Sequence, residues 1–253
     1  MMASPISRVT ARSQLSVLLA TAFAHPSPDD FSTMCRGEWQ QQVEDLTELL
    51  LGEAKSLPTV NCSYAEFEAF YIDLFHTGRK GQPMLSLCAS GYSEILQGGG
   101  LPEFLLRFSR WYRHFGLDTR DGEIGCQAPD HIQCQLEFLG WLAHLELQAL
   151  VELSDPADVS SPQILAYQKA QRDFLQRELL PTVEAIDKAM RDVRYAKTDA
   201  GQFYSEVMAL TQCVLERSFQ ELDSSLGPDL IAVSENTVIN NVSESNSMVN
   251  IWE

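Results

Sequence analysis

The segment from Pro129 to Leu153 limits the architecture more than any other part of the chain. Ile132, Leu136, Phe138, Leu139, Trp141, Leu142, Leu145, Leu147 and Leu150 leave little of its circumference polar at helical spacing. A helix that is apolar on nearly every side must be enclosed by other elements, so it predicts the central, most buried helix of a bundle. Its polar positions, Gln133, Glu137, His144 and Gln148, keep to one side. Their spacing reads first as a solvated edge and second as a binding stripe.

The other periodic segments are also helical. Trp39, Val43, Leu46 and Leu50 recur at i, i+4, i+7 and i+11, as do Phe203, Val207, Leu210 and Val214. Phe67, Phe70, Tyr71 and Leu74 follow Ser63, whose hydroxyl and Glu66 three residues on predict a capping box. Leu101, Leu105, Phe108, Tyr112 and Phe115 form a stripe opened by Pro102 and closed at Gly116. Ser161-Pro162 opens a long helix that Pro181 should break or kink, and Asp199 with Gln202 is the expected cap of the last one. Strand alternation is confined to a weak stretch, Thr237 to Val242. The expected fold is all-α, a single-domain helical bundle over residues 1–226. A polar tail over 227–253, rich in Asn and Ser, is expected to be disordered or loosely docked.

Near the N-terminus, Arg8 and Arg12 precede an apolar run and Ala22-Phe23-Ala24 imitates a leader cleavage signal. Leu15, Leu18, Leu19, Ala22 and Phe23 nevertheless form one stripe interrupted by Ser13, Gln14, Ser16 and Thr21, which favours a packed first helix. No run reaches the length of a spanning helix.

The chain carries 18 Lys and Arg against 35 Asp and Glu in 253 residues, a formal charge of −17. A field of that sign argues against nucleic acid and anionic lipid as partners. Part of the excess is local: between Asp121 and Gln168 there is no Lys or Arg, against Asp121, Glu123, Asp130, Glu137, Glu146, Glu152, Asp155 and Asp158. This reads as a solubilising surface or as a receptor for a cationic peptide. Cys35, Cys62, Cys88, Cys126, Cys134 and Cys213 form no Cys-x-x-Cys pair and read as reduced thiols. Cys126, His131 and Cys134 lack an evident fourth ligand, so no metal site is expected. His-Glu-x-x-His, Gly-x-Ser-x-Gly and phosphate-loop patterns are absent.

Two blocks of residues carry a resemblance. One is Tyr71-Ile72-Asp73-Leu74-Phe75, a Gly/Pro loop to Pro83, and Ser90-Gly91-Tyr92; the other is Phe108, Tyr112, Gly116-Leu117, Pro129-Asp130-His131-Ile132 and Leu136-Glu137-Phe138-Leu139. In order and spacing they resemble the TorD/DmsD/NarJ-like chaperones that mature molybdenum enzymes, over roughly residues 8–222. The resemblance implies a cytoplasmic protein without catalytic turnover, either a monomer or a helix-exchanged dimer. Such a protein binds the twin-arginine leader of a partner's catalytic subunit and holds the apo-enzyme for its molybdopterin guanine dinucleotide, delaying export until loading. No tightly bound cofactor is implied, only transient contact with the client's own.

In that reading Tyr71, Leu74 and Phe75 line a groove for the leader's apolar run, with Ser90 and Tyr92 beside it. Pro129 fixes the entry to the central helix, Asp130 and nearby carboxylates such as Glu137 take the guanidinium pair, and His131 contacts peptide or stabilises the hinge. Two plainer readings stay open: Tyr71, Leu74 and Phe75 as core, and His131 as a local cap. The rival functions are a helical adaptor for another cationic or amphipathic partner and a helical enzyme using Asp130, His131 and Glu137 as acid/base groups.

Overall fold

In the computed structural model, residues 4–77, 81, 83–96, 100–117, 128–152, 161–193 and 198–227 are described. Asp121, Glu123, Cys126, Asp155, Asp158, the Thr237 to Val242 stretch and the tail beyond Gly227 lie outside them. The helices are α1 (Pro5–Phe23), α2 (Pro28–Arg36), α3 (Glu38–Leu51), α4 (Tyr64–Tyr71), α5 (Ser93–Leu96), α6 (Leu101–His114), α7 (Ile132–Glu152), α8 (Pro162–Phe174), α9 (Leu180–Asp192) and α10 (Asp199–Leu226). The fold is all-α, with no strand among the described residues beyond an isolated bridge between Cys88 and His131. None of these helices is long and apolar enough to cross a membrane.

The 21-residue α7 is the central helix that its composition demands: Ile132, Leu136, Phe138, Leu139, Leu142 and Ala143 are buried, enclosed by α1 on one side and α8 on another. Gly140 lets α1 come close. A Cβ there would lie 2.8 Å from Val17 Cγ2 and 3.1 Å from the Ser13 carbonyl oxygen, whereas Ser13 now donates to the Gly140 carbonyl at 2.9 Å. On the opposite flank Phe138 sits among Trp111, Tyr112, Phe115 and Phe174, with ring centroids 4.8 Å from both Tyr112 and Phe174. A second aromatic cluster joins Phe67, Tyr71 and Phe75 to Phe203 and Tyr204 of α10.

Local chemistry sets the boundaries. Ser63 and Glu66 form the expected capping box on α4, and α6 begins with Pro102 in its first turn and ends at Gly116, whose φ of 81° suits glycine. The α6 stripe is rotated slightly from its sequence reading, since Phe104 is buried while Leu101 is half exposed. The cap of α10 is Thr198, which accepts from the Gly201 amide, and Asp199 falls instead in the first turn. Pro181 does not break its helix. A π-turn over Leu175–Leu179, closed by the Leu180 amide on the Leu175 carbonyl, shifts the register so that Pro181 enters the first turn of α9, where its missing N–H matters least.

The first helix is bolted to the centre by a buried ion pair. Arg12 Nη2 donates to Glu146 Oε2 at 2.8 Å with both side chains almost wholly enclosed. Gln168 and Gln171 of α8 donate to the same carboxylate at 2.7 Å each. Three helices thus share one satisfied charge, so removing one partner strands the other in the interior. Arg12→Met should cost about 3–5 kcal/mol in chemical denaturation, while the volume-matched Arg12→Met/Glu146→Leu pair should recover most of that loss.

Candidate functional site

The two sequence blocks that carry the family resemblance meet at the start of α7. The Ile132 amide donates to the Leu87 carbonyl at 2.8 Å, and the Ala89 amide donates to the Asp130 carbonyl at 3.1 Å. Asp130 adds its carboxylate, which accepts from the Ser90 amide at 2.8 Å, and its carbonyl also accepts from Gln135 Nε2 at 2.8 Å. Asp130 is fully enclosed, so it clasps the short 3-10 turn Ala89–Gly91 to the helix start rather than facing a cationic peptide. One of its oxygens, Oδ1, is buried without a partner. Tyr112 of α6 completes the joint by donating to the Pro129 carbonyl.

His131 is the local cap. Its Nδ1 accepts from the Gln133 amide at 3.2 Å, and burial lowers its pKa to about 4, which keeps the ring neutral and able to accept. Ser86, which sequence reasoning passed over, organises the other side. Its hydroxyl accepts from the Cys88 amide and its carbonyl accepts from the Tyr92 hydroxyl, while a Cβ on Gly91 would lie 2.4 Å from the Ser86 side chain. Burial also pushes the Cys88 thiol up to about 12, which disfavours its thiolate.

Tyr71, Leu74 and Phe75 are buried in the aromatic cluster and do not line an open groove. Tyr71 donates through its hydroxyl to the Phe23 carbonyl, pinning the end of α1, and Leu74 offers its carbonyl to the Leu85 amide. The acidic block is likewise no continuous surface among the described residues. Asp130 and Glu146 are enclosed, Glu152 is exposed, and Glu137 is half-buried.

The expected solvated edge of α7 is largely covered. Gln133, Glu137 and His144 are half-buried, as is Trp141 in their midst, and Gln148 alone of the stripe is exposed. Gln133 Nε2 donates to Glu137 Oε1 at 3.0 Å, leaving Oε2 without a partner. Burial raises the Glu137 pKa to about 7 against the modest lowering by Gln133. Trp141 donates to the Phe115 carbonyl and stacks on His144, and Val17 of α1, 46% exposed, leans against Gly140 beside them. The stripe therefore combines a half-buried carboxylate, whose Oε2 is enclosed and unpaired, with an apolar flank. Among the described residues no group of His, Cys, Asp and Glu could hold a metal ion.

The structure is an all-α bundle in which a Pro-Asp-His turn leads into the central helix. Residues 36–186 match the family described as nitrate reductase delta subunit, and the chain belongs to that family. It is similar to the dimethyl sulfide dehydrogenase assembly chaperone of Rhodovulum sulfidophilum, 33% identical over 74% of this chain and 72% of that one. It is also similar to the perchlorate reductase assembly chaperone of Dechloromonas aromatica (strain RCB), 31% identical over 86% of this chain and 92% of that one. The selenate reductase assembly chaperone of Thauera selenatis matches at 31% over 50% of this chain and 62% of its own. These relatives are named as assembly chaperones and not as catalysts, and no solved structure matches the chain.

The two shifted groups give opposite pH slopes. Folded Glu137 keeps a proton between its ordinary value of 4.5 and about 7 that the unfolded chain has lost, so its contribution to stability falls as pH rises through that window. Folded His131 lacks a proton that the unfolded chain binds between about 4 and 6.5, so stability falls as pH drops through that range. Glu137→Gln should therefore be more stable than the parent above neutrality, with the difference shrinking in acid, when thermal unfolding is followed across pH.

Proposed function

We propose that this protein is a system-specific chaperone for assembly of a molybdenum-cofactor oxidoreductase. It binds the apo catalytic subunit and that subunit's twin-arginine leader in the cytoplasm, assists cofactor insertion and withholds the client from export until loading is complete. Its contact with molybdopterin guanine dinucleotide is transient, and the client is an enzyme of the kind its relatives are named for, a reductase or dehydrogenase of small molecules. Membership of the delta-subunit family and the assembly-chaperone relatives support the maturation role.

One observation supports the leader reading: Glu137, half-buried on α7, keeps its Oε2 enclosed and without a hydrogen-bond partner. Once the Glu137 side chain turns outward, a guanidinium forms a charge-assisted hydrogen bond with it and restores the ionised form that burial disfavours. Trp141 and Val17 take the apolar residues that follow the arginines, in a helix-in-groove manner. The buried Asp130, His131 and Pro129 then hold the start of α7 in place, and Tyr71, Leu74 and Phe75 support the bundle behind it.

This geometry couples binding to proton release. Calorimetry of a synthetic twin-arginine leader near pH 7 should give heats that vary with the ionisation enthalpy of the buffer. Replacing the peptide's arginines by glutamine, or Glu137 by Gln, should weaken binding about tenfold, the worth of one charged hydrogen bond. Affinity indifferent to both replacements and to added salt would contradict the mechanism.

A further inference from the structure

Four helices leave an apolar cleft at one end of the bundle. The start of α1, the last turns of α7, the start of α8 and the end of α10 surround a cavity of about 360 Å³, walled by Val9, Leu150, Leu165 and Leu222. Arg8 and Glu221, an ion pair at 2.8 Å, also line it, and so do the buried partners Arg12 and Glu146. Val9 and Leu150 belong with Ala149 and Ile164 to a small apolar cluster separate from the main core. The cleft therefore borders both this second core and the charge network that bolts α1 to α7.

The chain's own sequence contains a matching segment close by. Leu222 and Ser225, in the last two turns of α10, line the cleft, and α10 stops at Leu226. Gly227 follows with a φ of 64°, a conformation that glycine adopts freely, and Pro228 cannot continue the helix. The longest apolar run between positions 228 and 253 comes directly after, Leu230-Ile231-Ala232-Val233. Leu222 lies about 7.5 Å back from Gly227 at the rise of an α-helix. Three extended residues span about 10 Å, so the run is within reach of the Leu222 wall.

We propose that this cleft is the docking site for the Leu230-Ile231-Ala232-Val233 run of the same chain, which closes that end of the bundle. The run is uncharged and the walls are aliphatic, so docking removes apolar surface from water on both sides. Four such residues are a weak ligand when free, but a linker of a few residues holds them at a roughly millimolar effective concentration. Covering the cleft also keeps water away from Arg12 and Glu146, which strengthens their attraction. Glu137 precedes Leu150 by 13 residues on α7, about 20 Å along the helix, so this docking stands or falls independently of leader binding.

Photo-cross-linking of the full chain tests it, with benzoylphenylalanine in place of Ile231 and the attachment sites of the monomer read by mass spectrometry. Attachment should fall on α1 near Val9, on α8 near Leu165 and on α10 near Leu222. Leu165→Asp, which puts a charge into the apolar wall, should lower the ratio of docked to free run about tenfold or more, with helix content by circular dichroism unchanged. Leu230→Asp/Val233→Asp, which alters the run and none of the helices, should have the same effect. Leu49→Asp, on the exposed side of α3, should change nothing. Absent or scattered attachment, or an equal loss in the Leu49 variant, would overturn the docking site. Attachment between two copies, seen as a covalent dimer, would overturn closure within one chain.

Discussion

A helix buried along most of its length cannot use water to satisfy the free amides at its start, and α7 meets that constraint for Ile132 and Gln133 from within the protein. The Leu87 carbonyl takes the Ile132 amide, the His131 ring takes the Gln133 amide, and the His131 carbonyl takes the Gln135 amide. The rest of the fold is organised around keeping these acceptors in place. Asp130 ties the Ala89–Gly91 turn down, Ser86 and Tyr92 shape the loop that presents Leu87, and Tyr112 fixes Pro129 from α6. Toward the other end the Glu146 side chain receives Arg12, Gln168 and Gln171, so α7 is tied to its neighbours at both ends by different partners.

This division changes the meaning of the Pro-Asp-His element. It is the joint through which two distant stretches of sequence become one structure, and its charged and polar members are enclosed in that task. What remains for a partner is the half-covered side of α7, where Glu137 keeps one oxygen unspent and Trp141 and Val17 offer apolar surface. The rival enzyme reading fares poorly for the same reason. His131 and Asp130 are enclosed and engaged with the backbone.

Much of the fold was legible because helical periodicity and capping chemistry are local. The capping box at Ser63, the Pro102 start, and the packed faces of α3 and α10 follow from side chains within a turn or two. What sequence could not supply were facts of three-dimensional pairing. Arg12 and Glu146 are 134 residues apart, so a carboxylate counted toward an acidic surface is in fact an internal counter-ion. Tyr71, Leu74 and Phe75 have the composition of either a groove or a core, and only the arrival of Phe203 and Tyr204 decides for the core. The π-turn before Pro181 was invisible because a proline signals an interruption without saying how the backbone absorbs it.

The account's central claim is that the motif clasps α7 from inside while the client's leader meets its half-open face. A twin-arginine leader peptide carrying a photoreactive residue next to its arginines tests this directly, with the cross-linked positions read by mass spectrometry. The account predicts attachment within Gln133 to Gln148 and on α1 near Val17, reduced about tenfold at sub-saturating peptide when Glu137 is replaced by Gln. Attachment concentrated on Tyr71 to Phe75 or on Asp130, which would require the clasp to open, would contradict it.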